Sequence, residues 1–518
     1  MLENKKAGLL HASERDGVNY RKATLLQLIA GMSGSGTMIV LYLILGFATL
    51  IAPQGYGIAT AVAGVILTVT RWADGLSDIV VSALFEKFNP KKGKIRILML
   101  VGWAIAVLAS NLMYNWAAGK FDGVWGIVVF VVIYLLFDIG YTTFTVSHGT
   151  VGIVITNDPT QRPMTSLIST VFSYTVPLIC TNLITFVILP KYDMIYNIPM
   201  LAETMVWFSG LSLIFVLICC WGVRKIDVRE TFAALPKEDK QEENKVSLKD
   251  MWSVIKDNRN VQMYMLTSIS DRFAQQAMSQ SVVSTLLAGV LIGSYEATTV
   301  AGNFSQIIGL TFALFGGVLI AKYGAKKVTI QWSWLNILAA ALTVGMFVVL
   351  CVTSGSVDGM KRLGDFGLPF VIFVVLNIFK VGANMVLTTA GGAMKADLVD
   401  YEYERSGNYF PAVLSGVYSL IDKIVTSFSS AVAMGCIALV GYTASVPQIG
   451  DKATWPIFWV AMFLNFGLAI LGWLCNVIAM KFYTLDRERM IRVQKTLEER
   501  KKDVNLGKHE VSSGISQR

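Results

Sequence analysis

The chain holds 518 residues, 54% of them hydrophobic and 15% charged, with a mean hydropathy of +0.57. A soluble chain of this length would form about three or four domains, whereas this composition describes one whose solvent is mostly lipid. The net charge of +9 does not point to nucleic acid, because Lys and Arg fall in short clusters between long apolar runs, where they meet anionic lipid headgroups instead.

Residues 1–23 are polar and lack the short apolar core and small-residue cleavage site of a signal peptide, so this segment is expected to stay in the mature protein. Apolar runs of about 20 residues, enough to cross about 30 Å of hydrocarbon, then start near residues 24, 56, 94, 123, 165 and 204. A second set starts near 262, 298, 327, 368, 410 and 455. Lipid tolerates only helices or closed barrels, and runs this long and apolar are helical. The fold is therefore expected to be all-α, a polytopic membrane protein with about twelve transmembrane helices.

The polar stretch 225–260, with LPKEDKQEENK, divides these into two six-helix bundles, 24–224 and 261–483. A charged tail, 484–518, helical at its start, follows. Lys and Arg gather in alternate connections, such as Lys87, Lys91, Lys92, Lys94 and Arg96, and again Lys322, Lys326 and Lys327. IAPQGYG near 51 and GSYEATT near 293 carry none. This bias places both termini in the cytoplasm of a multi-pass inner-membrane protein. KFNPKK and KYGAKK hold equivalent places in the two halves, as an internal repeat would, and such repeats put a substrate site between the halves at mid-membrane.

Ionisable residues at bilayer depth are costly and mark candidate sites. In VTRWADGLSDIV on the second helix, Arg71, Asp74 and Asp78 are spaced i, i+3, i+7 and share one face. Two carboxylates one turn apart can coordinate Na⁺ or share a proton, while the Arg keeps at least one ionised. One Arg cannot neutralise two buried acids, which favours a coupling-cation site over a plain Arg71–Asp74 pair. If Na⁺ is the ion, Asp74 and Asp78 are its ligands.

Asp138 on the fourth helix has Tyr134 before it and Tyr141, Thr142 and Thr145 after it, an acid among rings suited to sugar hydroxyls and C–H faces, or else to a helix–helix hydrogen bond. On the seventh, Ser268, Asp271, Arg272, Gln275, Gln276 and Ser279 make a polar stripe along a water-filled path, unless Asp271 and Arg272 sit near a helix end and pair with loops. Asn377, Lys380 and Asn384 share a face of the tenth. Lys423, deep in the eleventh beside Asp422 and one turn from Ser419, needs a counter-charge, which the acids of the second and fourth helices supply. The cysteines lack CxxC spacing and the histidines are scattered, so neither disulfides nor a metal centre is expected. No HExxH or GxSxG motif is present, so an enzyme is not expected either.

Two stretches carry a family resemblance: RWADGLSD at 71–78 before a basic loop, and ADLVDYEYERSGNYFPAVLSGVYSLIDKIVTSFSSAVAMGCIALVGY from Ala396 to Tyr442. They resemble the glycoside-pentoside-hexuronide:cation symporters, the melibiose-permease relatives of the major facilitator superfamily. The resemblance implies the major facilitator fold and cation-coupled symport of a sugar, glycoside or hexuronide by a monomer, with Na⁺ or H⁺ as coupling ion and no cofactor. Carried over by position, Asp74 and Asp78 resemble the coupling carboxylates, Asp138 the sugar-binding acid, and Lys423 the lysine near the cation site.

The chain also departs from the family. Ile79 stands where a proline is usual, Gly140 and Thr142 replace a Pro and Trp pattern, and Leu135 stands where sodium users have a threonine. GMSGSGT, around Gly36, has no acid where one is expected on the first helix. With Arg272, Lys380 and Lys423 retained, the cavity becomes more positive, which points to an anionic sugar met by Arg272 or Lys380. The alternatives are a sodium-coupled lysolipid carrier, which one neighbouring branch of the superfamily contains, and a non-transporting membrane sensor.

Overall fold

The computed structural model describes residues 11–15, 18–87, 90, 93–156, 161–228, 256, 258–406 and 411–497. Most of the KFNPKK connection and most of the linker between the halves lie outside these residues, as do the side chains of Asp74, Asp78 and Ser419.

Among the described residues, ten helices are long and apolar enough to cross a membrane. In the first half these are α1 (Leu25–Tyr56), α3 (Ile95–Ala117), α4 (Gly123–Gly149), α5 (Met164–Tyr192) and α6 (Ile198–Val223). In the second they are α8 (Tyr295–Tyr323), α9 (Ala325–Thr353), α10 (Leu368–Ser406), α11 (Pro411–Leu439) and α12 (Trp455–Phe482). Two further helices complete twelve: α2 (Thr60–Lys87) and α7, which runs Arg259–Met278 and resumes as Ser281–Ile292. These two fall short on apolarity because one carries the Arg71-to-Asp78 cluster and the other the polar stripe. The all-α expectation is borne out, and the sequence reading placed every helix start within a few residues except that of α6.

A short antiparallel hairpin, β1 (His11–Arg15) with β2 (Val18–Lys22), precedes α1 and was not foreseen. The helix starts are set by local chemistry. Thr24 and Gln27 cap α1 reciprocally, the Thr24 hydroxyl accepting from the Gln27 backbone N–H at 3.3 Å and the Gln27 side chain from that of Thr24 at 3.0 Å. Asn197 and Ser294 cap α6 and α8. A single residue, Gly324, joins α8 to α9 at φ 83°, a left-handed conformation that a β-carbon would strain.

Without a hydrophobic drive between helices in lipid, small residues and hydrogen bonds hold the bundles together. A β-carbon on Gly140 of α4 would lie 2.5 Å from the Ala106 nitrogen of α3, so these two backbones touch. The same device joins the halves. A β-carbon on Gly64 of α2 would lie 2.8 Å from the Met434 β-carbon of α11, and one turn on the Thr68 hydroxyl donates to the Ser427 carbonyl at 3.0 Å.

Among the described residues, hydrogen bonds between the halves cluster from mid-depth to the end remote from the termini. There the Thr60 N–H donates to the Thr443 carbonyl at 2.9 Å, and Asn182 and Asn303 exchange side-chain hydrogen bonds at 3.0 and 2.9 Å. Thr185 meets Thr299 at 2.8 Å. The Tyr196 N–H donates to Gln448 Oε1 at 3.0 Å and Gln448 Nε2 returns to the Tyr196 carbonyl at 2.8 Å, while the Tyr196 ring packs edge-on to Tyr295. This end is sealed.

At the opposite end residues 487–497 form the expected tail helix. It is docked by Val493 and Leu497, both buried, by an Arg489–Glu404 pair at 2.9 Å and by Gln494 on Asp400 at 2.6 Å.

Candidate functional site

The helices that carry the membrane-depth charges converge at mid-depth. α2 and α11 cross through Gly64 and Thr68, and Trp72 fixes their register: its indole N–H donates to the Ser427 hydroxyl at 2.9 Å and its ring packs against Phe428. This crossing sets Arg71 of α2 and Lys423 of α11 on the wall of one cavity of about 280 Å³. The same cavity is lined by Tyr42 from α1, by Asp138, Tyr134 and Tyr141 from α4, and by Thr426. Asp138 is only 5% exposed. Packing of α4 on α3 through Gly140 turns its acid and two tyrosines inward.

An acid, a guanidinium and an ammonium from both halves therefore share one space, which is the company that Lys423 was expected to need. The space suits a cation or a hydroxylated solute. Asp74 and Asp78 lie one and two turns beyond Arg71 on α2; how their carboxylates are placed lies outside the described residues.

A second cavity, of about 510 Å³, sits between this one and the sealed end. Tyr42 and Arg71 line it too, with Gln276, Ser279 and Ser281 from α7 and Tyr196 and Tyr295 as its roof. α7 breaks here, because Gln280 is extended at φ −67°, ψ 128°. Discontinuous helices at the midplane are how transporters free backbone groups for a solute. The sequence shows no Gly or Pro at this break, so it was not foreseen.

A third cavity, of about 490 Å³, belongs mainly to the second half. Lys380, Asn377 and Asn384 of α10 all line it, as their spacing required, with Asp271 and Gln275 of α7, Asn465 and Trp473 of α12, and Tyr174 of α5. Lys380 Nζ stands 4.6 Å from the centroid of the Phe466 ring, a cation–π contact. Asp271 is held by Asn476, whose Nδ2 donates to both carboxylate oxygens at 3.1 and 3.0 Å. Asn377 is braced by Ser305 at 2.9 Å.

Arg272 parts company with Asp271, Gln275, Gln276 and Ser279 of the stripe. It is exposed, lines none of these three cavities, and faces Tyr418 and Asp422 of α11. Of the two cations proposed to meet an anionic substrate, Lys380 lines one of these three cavities and Arg272 lines none of them. Tyr42, Trp72, Tyr174 and Trp473 were missed by the sequence reading. Trp72 alone had a signal, its place inside RWADGLSD; the others look like ordinary apolar-helix aromatics.

Residues 28–487 match the family described as MFS/sugar transport protein. The chain is 24% identical to the inner membrane symporter YicJ of Escherichia coli over 86% of its own length and 89% of that protein. It is 22% identical to the symporter YjmB of Bacillus subtilis, covering 81% and 84%. With the lactose permease of Lactobacillus helveticus it shares 20% over 75% of this chain and 56% of that one. Among solved structures, the nucleoside transporter NupG aligns with a TM-score of 0.53 at 12% identity, covering 89% of this chain and all of that one. A bacterial homolog of the human lysosomal transporter Spinster, inward-facing and unoccupied, gives 0.54 at 10%, covering 92% and 99%. At such identities the structural likeness shows the fold alone, and it is the major facilitator fold that the sequence implied.

Proposed function

We propose a transport mechanism from one premise: the chain belongs to the MFS/sugar transport family, whose match runs through both halves. It carries a sugar or glycoside across the membrane in symport with Na⁺ or H⁺, the two halves rocking about the central cavities. The observation that carries this reading is the space shared by Asp138, Arg71 and Lys423, built from both halves at mid-depth beneath a sealed end. Asp74 and Asp78 take the coupling cation one and two turns along α2. Asp138, with Tyr134 and Tyr141, takes sugar hydroxyls and a ring face. Because cation and sugar act through one network of charges, each raises the affinity for the other by the same factor.

Lys380 supports a finer reading, that the substrate bears a carboxylate. Its ammonium faces a solute-sized cavity in which the acid, Asp271, is already engaged by Asn476. The amides of Gln275, Asn377, Asn384 and Asn465 in this cavity support a hydroxylated solute over an acyl chain. Both termini are taken to be cytoplasmic, so the sealed end faces outward.

The test is uptake into proteoliposomes of neutral glycosides, pentosides and hexuronides under an inward Na⁺ or an inward proton gradient imposed separately. Gradient-driven accumulation of one class is expected. No accumulation of any sugar under either gradient would overturn the reading.

A further inference from the structure

Arg71 and Gln276 belong to opposite halves, yet they meet. With the Gln276 amide oxygen turned to the guanidinium, the orientation that satisfies both groups, it accepts from Arg71 Nη1 at 3.0 Å and Nη2 at 2.9 Å. Its Nε2 then donates to the Tyr42 hydroxyl at 2.6 Å. One amide of α7 is thus clasped by two groups of the first half. Arg71 and Tyr42 line both the Asp138 cavity and the neighbouring 510 Å³ cavity, and Gln276 lines the latter, so the clasp stands where a solute passes.

The chemistry of the clasp is that of a place-holder. A guanidinium fork matches two oxygens of one planar group, and its bonds to a carboxylate are roughly twice as strong as neutral hydrogen bonds. A single neutral amide oxygen taking both Nη groups satisfies the fork less well than a carboxylate or a vicinal pair of hydroxyls. The amide also offers one donor and one acceptor side by side, as two neighbouring sugar hydroxyls do. Gln276 lies one turn before the break at Gln280, so its segment of α7 can leave without dragging a continuous helix.

We propose that Arg71 is a ligand for substrate oxygens, held in register by Gln276 while the carrier is empty, and that the arriving solute displaces Gln276 and so frees the two halves from each other. This rests on the sugar-transport reading and adds to it: the substrate presents a carboxylate or a vicinal diol to α2, and binding itself releases a tie between the halves.

The proposal is tested on purified full-length protein in lipid nanodiscs with Gln276→Glu, Gln276→Ala and Arg71→Lys. Binding of methyl β-D-glucuronide and methyl β-D-galactoside is measured by calorimetry. A carboxylate at 276 pairs with Arg71 and resists displacement, so Gln276→Glu is expected to weaken binding about tenfold or more. Gln276→Ala removes the competitor and is expected to bind at least as tightly as the parent. Arg71→Lys loses the fork and weakens binding about tenfold. Gln276→Ala binding as poorly as Gln276→Glu would make Gln276 a direct ligand and overturn the proposal, as would Gln276→Glu binding like the parent.

A second arm needs no sugar. Spin labels at Lys120→Cys and Lys361→Cys, on the sealed end of each half, report its opening once the six native cysteines are replaced. A longer-distance population is expected to grow in Gln276→Ala and vanish in Gln276→Glu; identical distributions in both would overturn the bridge. If neither probe binds the parent protein, the sugar reading fails while this arm still decides the bridge.

Discussion

The Asp138 cavity and the Lys380 cavity lie at similar depth and are both lined by ionisable groups, yet they are built differently. The first draws Tyr42 and Arg71, Asp138, and Lys423 from four helices and both halves, so its charges come together only while the halves are closed on each other. The second draws nearly everything from α7, α8, α10 and α12 of one half, with Tyr174 the visitor from the other. On the proposed mechanism, a site whose charges straddle the interface holds the solute only while the halves are closed on each other, so recognition at Asp138 is tied to their separation. A site carried on one half keeps its geometry through the cycle and suits recognition of a solute.

The comparison is most sharply tested at Asp138. Removing one charge from a buried set leaves the others uncompensated, so Asp138→Asn is expected to lower uptake about 100-fold or more, measured as initial rate in proteoliposomes. Near-normal rates would place recognition elsewhere. Asp74→Asn and Asp78→Asn are expected to abolish accumulation against a gradient while leaving downhill exchange; normal accumulation by both would remove α2 from coupling.

On the other side, Lys380→Met is expected to weaken binding of a hexuronide by about 10- to 100-fold, the value of a charged hydrogen bond at roughly 1.5–3 kcal/mol, and to spare neutral glycosides. An equal loss for both classes would make Lys380 structural. Trp72→Phe keeps the ring on Phe428 and loses one hydrogen bond to Ser427. At about 1 kcal/mol, it should alter the sodium or proton dependence of transport by about fivefold with little change in sugar affinity at the Lys380 side. The smallest effect is expected of Gln448→Ala, which removes the two bonds to Tyr196 at the seal and should raise the unstimulated leak of substrate a few-fold.

The fold was legible because lipid leaves the chain so few options. A run of about 20 apolar residues must be a helix, and each connection must surface. Hence the starts of α4, α10 and α12 were read at the residue where they fall, 123, 368 and 455. α2 and α7 were read as well, although their charges make them poor spans by hydropathy. The lining of the candidate cavities was legible where a charge stood out against that background, at Arg71, Asp138, Lys380 and Lys423. It was not legible at Tyr42 or Trp473, because an aromatic residue on an apolar helix looks the same whether it meets lipid, a neighbour or a cavity.

The sequence by itself determined the class and the number and length of the helices, since both follow from the cost of exposing polar groups to hydrocarbon. Only the tertiary structure decided which charges share a space. Lys423 joins Asp138 and Arg71 because Gly64 and Thr68 let α2 and α11 touch. Arg272 faces Tyr418 and Asp422 and not the cavities of Gln275 and Gln276, because the rotation of α7 turns it there. The periodicity of one helix fixes which residues share a face. Which way that face points is settled by the packing of small residues on neighbours that stand far away in the chain, and no local pattern records it.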